Sequence, residues 1–325
     1  MSSPASDPAP GRRGTAPVDA GRPGTAQVDP GLPGVGRVGA VAEHRPVGSH
    51  TPTSGGLAKA ALAYADAIGS EVVQVYVGNS RGWALPPGDP GQDAAFRAGC
   101  SERGLLVYIH ASLLTNLGSP TPATVQKSVA TLAHALDRGA AIGAAGVVFH
   151  AGSAVDAGHA EAAMRQVREA LLPLLDSAAA RGGPKLLVEP SAGGGRSLAS
   201  RVEHLEPYLA AVDRHPWLGA CFDTCHAWAA GHDLAREGGM RDTLDALVAA
   251  IGPDRLWLVH ANDSRDLCGS TRDRHETIGK GSIGEPAFAE LMTHPATAGI
   301  PVVVETPSEN HGHADDLATL RRLGG

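Results

Sequence analysis

Aromatic side chains are scarce in this 325-residue sequence, at 4%, so its core must be built from aliphatic residues and alanine. Cysteine is sparse as well. Cys100, Cys221, Cys225 and Cys268 are too few and too scattered to staple a chain of this length, and they suit a reducing compartment. No run of about 18 apolar residues occurs, which predicts no membrane span. The first residues lack the apolar stretch of an export signal, so a cytoplasmic protein is expected. The glycine clusters at 193–195 and 279–284 do not follow a first strand as a dinucleotide fingerprint would, and no G-x-S-x-G elbow is present. Nor is there an excess of positive charge. A net charge of −7 argues against a nucleic-acid partner, which needs a basic surface. That argument lapses if the chain holds cations: three divalent ions give −7 + 6 = −1, and the local field at a groove then decides.

What is present falls into two textures. Residues 1–45 are rich in Pro, Gly, Ala and Arg, with a ten-residue repeat in GRRGTAPVDA, GRPGTAQVDP and the degraded GLPGVGRVGA. Such a segment buries too little apolar surface to offset its ordering entropy, and it reads as a flexible, disordered tail. From Pro46 onward, short apolar runs alternate with Ala/Leu-rich stretches. The runs are 46–50, 72–77, 105–110, 146–150, 185–190, 218–223, 255–260 and 301–306. Helices are expected between them, among others over 56–67, 123–144, 160–181, 198–212, 240–250 and 287–293. Continuous Val/Leu/Ile runs suit buried parallel strands, and eight strand–helix units over 46–325 suit a (β/α)8 TIM barrel. A doubly wound open sheet is the structural alternative.

The ends of these runs carry the chemistry. Six consecutive runs close on a metal-capable residue: His110, His150, Glu189, Asp223, His260 and Glu305. A single His or Glu at a strand end is more often a satisfied structural group. Six converging on one barrel mouth would repel or stay protonated unless cations neutralise them. Two loops extend the set. His226 follows Asp223 by three residues, and Asp273 and His275 stand two apart, on one side of an extended segment. Cys221 and Cys225 flank Asp223 without a second thiolate pair, and they read as buried core thiols rather than zinc ligands.

The stretches GSHTPTSGGL, VGNSRGW, HASLLTNLGSP, FHAGS, VEPSAGGG, FDTCHAWAAGHDL, HANDSRDLCGSTRDRHETIGKGSIG and VVETPSE resemble endonuclease IV, the trinuclear-zinc deoxyribonuclease of base excision repair. The resemblance runs from Pro46 to the C-terminus. It implies one zinc held by His110, His150 and Glu189, and a second held by Glu189, Asp223, His260 and Glu305. A third would be held by His226, Asp273 and His275. Manganese or iron could replace zinc at some sites. Glu189, Asp223 and Glu305 are implied in catalysis, with Glu305 orienting the water whose pKa the metals lower. The implied reaction is hydrolysis 5′ to an abasic site in duplex DNA, leaving a 3′-hydroxyl, with trimming of blocked 3′ ends as a second activity. Arg81, Leu113 and Leu114 match the residues that enter the DNA at the lesion, with Leu113 in place of the family's usual Tyr. His50 matches a position that supports the metals without ligating them. A monomer, nucleoid-associated in a prokaryote, is expected. The competing readings are a metal-dependent sugar isomerase or epimerase on the same barrel, and a lesion-binding protein that has lost catalysis.

Overall fold

The apolar runs from Val47 onward are built mostly from Val, Leu, Ile and small residues and bounded by Gly, Pro or polar residues, the composition of strands buried on both faces. A computed structural model describes residues 44–307 and 313–325 of the chain. It forms β1 (Val47–His50), β2 (Val72–Val75), β3 (Leu106–His110), β4 (Gly146–His150), β5 (Lys185–Glu189), β6 (Leu218–Asp223) and β7 (Leu256–His260). A short antiparallel pair, β8 (Asp263–Ser264) and β9 (His275–Glu276), precedes the last barrel strand, β10 (Val302–Val304). The eight longer strands close in the order β1-β10-β7-β6-β5-β4-β3-β2, and every neighbouring pair is parallel. This closed parallel barrel excludes the open-sheet alternative. Except for His44 and Arg45, the predicted tail lies outside the described residues. Arg45 is already buried, its guanidinium donating to Thr297 Oγ1 at 2.9 Å and to the carbonyl of His294 at 2.8 Å.

The helices are α1 (Leu62–Ile68), α2 (Pro90–Arg103), α3 (Pro122–Ile142), α4 (Ala160–Ala180), α5 (Leu205–Ala211), α6 (Thr224–Ala229), α7 (Gly239–Ile251), α8 (Glu285–Thr293) and α9 (Ala314–Gly324). Among the described residues, no helix is long and apolar enough to cross a membrane. Three expectations change. The helix expected over 198–212 is a 3₁₀ turn at Val202–His204 followed by α5, because the preceding segment is tied to other loops: Leu198 N–H bonds the Gly152 carbonyl at 2.9 Å. The turn leaving β6 is itself helical, as α6. The last strand stops at Val304, one residue short of Glu305, whose N–H bonds Asn262 Oδ1 at 2.7 Å instead of a neighbouring strand.

Side chains alternate along a strand, so residues two apart share a face. Inside the barrel, Val72, Tyr108, Val148, Leu187, Cys221, Leu258 and Val303 pack as one apolar layer. Two residues further along each strand comes a second layer: Gln74, His110, His150, Glu189, Asp223, His260 and Glu305, with His50 from β1. The apolar layer is therefore a dry floor beneath a polar mouth. The outer strand faces pack against the helices in a larger core, which includes Phe96, Leu136, Leu171, Tyr208 and Phe288.

The loop that completes the mouth is organised by one carboxylate. Asp263 is fully buried and accepts the N–H groups of Gly279 (2.9 Å), Gly281 (3.1 Å), Ile283 (2.9 Å) and Gly284 (3.3 Å). A Cβ on Gly281 would lie 2.4 Å from Asp263 Oδ1, so the close approach of backbone to carboxylate requires glycine there. Replacing Asp263 by alanine would leave several buried N–H donors unpaired, a loss of about 3 kcal/mol or more. Denaturant unfolding of Asp263→Ala should show that drop, and an unchanged midpoint would remove the carboxylate from this role.

Candidate metal centre

Glu189, at the end of β5, lies at the middle of the mouth and is fully buried. Its Oε2 lies 3.2 Å from His110 Nε2 and 3.6 Å from His150 Nε2. Its Oε1 lies 3.0 Å from His260 Nδ1 and 3.3 Å from His226 Nδ1. Four imidazoles from four different elements thus surround one carboxylate. Beside it, Asp223 Oδ2 and Glu305 Oε2 stand 3.8 and 3.5 Å from His260 Nδ1. Asp273 bridges the loop residues, with Oδ2 3.2 Å from His226 Nε2 and Oδ1 2.9 Å from His275 Nε2.

Local structure explains the loop ligands. Asp223 caps α6, its Oδ1 accepting the N–H of His226 at 2.7 Å. The three-residue spacing from Asp223 to His226 is therefore that of an N-cap and its third residue, which turns His226 back over the mouth. Asn262 holds the other side of Asp223, donating to Oδ2 at 2.8 Å. His275 sits on β9 opposite Ser264, and the flanking Arg274 is anchored on the Asp266 carboxylate, with Nε 2.6 Å from Oδ2. Asp273 and His275 thus hang from a fixed hairpin.

The imidazoles are oriented from behind. His110 Nδ1 bonds the Ala111 carbonyl at 2.7 Å, His226 Nδ1 the Pro190 carbonyl at 3.0 Å, and His275 Nδ1 the Glu305 carbonyl at 3.1 Å. A neutral imidazole that donates backward leaves its other nitrogen as a lone pair facing the centre, the arrangement of a metal ligand. All nine expected ligands fall into groups whose donor atoms lie within 4.8 Å of one another: His110/His150/Glu189, Asp223/His260/Glu305, Asp223/His226/His275, and two groups that include a cysteine. The cysteine groups are Glu189/Cys221/His260 and Cys225/Asp273/His275. Burial pushes both thiols up to about 12, and Cys221 belongs to the apolar floor. The donor set fits divalent cations on a further observation. His275 Nε2 is buried and has no hydrogen bond of acceptable geometry, although Asp273 Oδ1 is 2.9 Å away.

His50 contacts the centre without joining any of these groups. Its Nδ1 lies 3.3 Å from Glu305 Oε1, its ring lies tilted 4.3 Å from that of Tyr76, and burial lowers its pKa. Above the donors lies a cleft of about 370 Å3, lined by Tyr76, Leu113, Thr306 and His313 as well as by ligand candidates. Leu113 and Leu114 project from the loop after β3, 36% and 38% exposed. Ser112 Oγ fastens that loop to the carbonyls of Ser80 (3.0 Å) and Gly82 (3.1 Å), which brings exposed Arg81 next to the two leucines.

Gln74, Tyr76 and Asn262 are residues that sequence reasoning missed. Gln74 could have been found from the period of two, since it follows floor residue Val72 as His110 follows Tyr108. Nothing in the sequence marks Tyr76 or Asn262.

A sequence profile described as xylose isomerase-like TIM barrel matches residues 62–323. Probable endonuclease 4 of Streptomyces coelicolor is 53% identical over 278 residues, 86% of this chain and 95% of that protein. The chain belongs to the endonuclease IV family. A probable endonuclease 4 of Chloroflexus aurantiacus is 36% identical over 279 residues, covering 85% of this chain and 97% of the relative. Among solved structures, endonuclease IV from Thermus thermophilus superposes with a TM-score of 0.75 at 35% identity, over 86% of this chain and 98% of that one. A D-tagatose 3-epimerase-like protein, at 15% identity and a TM-score of 0.62, shares the fold alone.

The protonation of the donors sets a testable condition on metal uptake by this endonuclease IV relative. Burial pushes His226 and His275 down, but the facing carboxylates of Asp223 and Asp273 outweigh it. His275 is thereby held at about 9, whereas burial takes His150 to about 4. A cation at these nitrogens displaces their protons. Zinc loading of chelator-stripped protein at pH 7 should release protons into a weakly buffered indicator solution. Apparent affinity should rise as pH climbs through the neutral range toward about 9. Affinity independent of pH would contradict this charge balance.

Proposed function

We propose that this chain is a metal-dependent apurinic/apyrimidinic endonuclease. It hydrolyses the phosphodiester 5′ to abasic sites in duplex DNA, leaves a 3′-hydroxyl, and trims blocked 3′ ends. The observation that carries the reading is the ring of nine donors, carboxylates from strand ends and loops interleaved with imidazoles, at the base of an open cleft. His110, His150 and Glu189 would hold one zinc. Glu189, Asp223, His260 and Glu305 would hold the second, and His226, Asp273 and His275 the third, with manganese or iron acceptable at some sites. Bound there, such ions supply positive charge for phosphate oxygens and lower the pKa of water toward neutrality.

The chain's own residues do the rest. Glu189, Asp223 and Glu305 bring negative charge that keeps the centre from repelling its cations, and Glu305, at the edge of the cleft, is placed to orient the attacking water. Arg81, Leu113 and Leu114 stand together at the rim, where an apolar wedge and a cation can enter an unstacked step from the minor groove. His50 supports Glu305 from behind. The remaining elements of the reading are a monomer acting at the nucleoid and a catalytic barrel domain over residues 46–325.

The sugar isomerase or epimerase reading is disfavoured by His226, Asp273 and His275, since a sugar site with one or two metals needs fewer ligands. The deciding experiment is incubation with a duplex carrying a single abasic site, with and without a strong chelator. Incision 5′ to the site, abolished by chelation and restored by zinc at about three equivalents per chain, is expected. Absence of chelator-sensitive incision, or ketose epimerisation with one bound metal, would overturn the proposal. His226→Ala should lower the cleavage rate on the order of 100-fold or more while leaving duplex affinity within a few-fold. Binding that persists with no cleavage in the wild type would instead indicate a lesion-binding protein.

A further inference from the structure

Three imidazoles of the centre are oriented by main-chain carbonyls, which no substitution can delete. His260 is different. Its Nε2 lies 2.9 Å from the side-chain Oε1 of Gln74, across the barrel on β2. An amide oxygen can only accept, so His260 carries its proton on Nε2 and presents Nδ1 to the centre, 3.0 Å from Glu189 Oε1. The other end of the same carboxamide donates from Nε2 to Glu305 Oε1 at 2.7 Å. That leaves the other oxygen of Glu305, Oε2, turned toward His260 Nδ1 at 3.5 Å. The second hydrogen of Gln74 Nε2 faces His50 Nδ1 at 3.0 Å. A reversed amide would set the carboxamide oxygen against the Glu305 carboxylate, two acceptors in contact, so the bond to Glu305 fixes the orientation.

We propose that Gln74 is a positioning residue of the metal centre: one carboxamide selects the tautomer of His260 and the free oxygen of Glu305 at once. The proposal rests on the reading of His260 and Glu305 as metal ligands. Gln74 is fully buried at the mouth, flanked on its own strand by Val73 and Val75, whose side chains lie in the outer core. Burial of this kind keeps bulk water from replacing the carboxamide at His260 Nε2 and Glu305 Oε1 without rearrangement. Fixing a ligand from behind in this way governs metal affinity and geometry rather than bond-making.

Two substitutions separate the halves of the role. Gln74→Met keeps the volume and removes both hydrogen bonds. Gln74→Glu keeps an acceptor for His260 and replaces the donor toward Glu305 by a second carboxylate. Each is compared with wild type by competitive zinc titration, by the visible spectrum of the cobalt-loaded protein, and by nitrogen-15 NMR of histidine tautomers in the chelated chain at a pH high enough to leave His260 neutral. Gln74→Met should weaken one of the bound zincs by about 10- to 100-fold, alter the cobalt spectrum, and give His260 a mixture of tautomers. Gln74→Glu should restore the single Nε2–H tautomer without restoring affinity. Should Gln74→Met fail to fold, Gln74→Glu alone still decides: wild-type zinc affinity and cobalt spectrum in it would overturn the proposal. Wild-type affinity with an unmixed Nε2–H tautomer in Gln74→Met would overturn it equally. If wild-type protein binds zinc and cuts abasic duplex while the variants match it, this inference alone fails. If wild-type protein binds no zinc, the functional reading fails and takes this inference with it.

Discussion

The mouth of the barrel depends on keeping a single carboxylate, Glu189, charged where no bulk water reaches it. A carboxylate buried to this degree would ordinarily take up a proton. Burial pushes Glu189 in that direction, but His260, His110 and His226 outweigh it and hold the group well below the usual carboxylate range. The converse also holds, since those imidazoles keep their places by virtue of that charge. Removing the acid would take away the one carboxylate that His110, His150, His226 and His260 share, and removing the imidazoles would neutralise the acid.

Around this core the protein fixes direction before any ligand arrives. Main-chain carbonyls of Ala111, Pro190 and Glu305 aim three rings, and side chains of Gln74 and Asn262 aim His260, Glu305 and Asp223. Rigid strands supply the strand-end donors, while the loop donors hang from the β8–β9 pair and from the cap of α6. Such preorganisation lowers the reorganisation needed when substrate charge develops. The rim is less constrained, with Leu113 and Leu114 held chiefly through Ser112.

Much of this could be seen in the sequence because parallel barrel strands leave a simple mark. Their apolar runs are short and continuous, and a ligand at the end of each run necessarily reaches one mouth. The strand-end set from His110 to Glu305 is placed by that pattern, whereas Asp273 and His275 stand out only by their two-residue spacing in a loop, a weak signal that the family resemblance strengthens. Gln74 was overlooked because a neutral amide in an apolar run looks like an interruption rather than a ring member. Asn262 and Tyr76 escaped for another reason: their roles come from cross-barrel contacts, which depend on register and curvature. The helix expected over 198–212 failed because loop-to-loop hydrogen bonds outweighed local propensity.

Asp223 shows what such economy entails for genetics. One of its oxygens ends a helix, the other is held by Asn262, and the same group faces His260 and His275. Its loss would unseat a helix start, an amide and two imidazoles together. A null phenotype at this position would therefore be pleiotropic at the scale of a single residue, and no one function could be inferred from it. His150 is a simpler position: among the described residues it faces Glu189 and touches the rings of His110 and His226, so an allele there is easier to interpret.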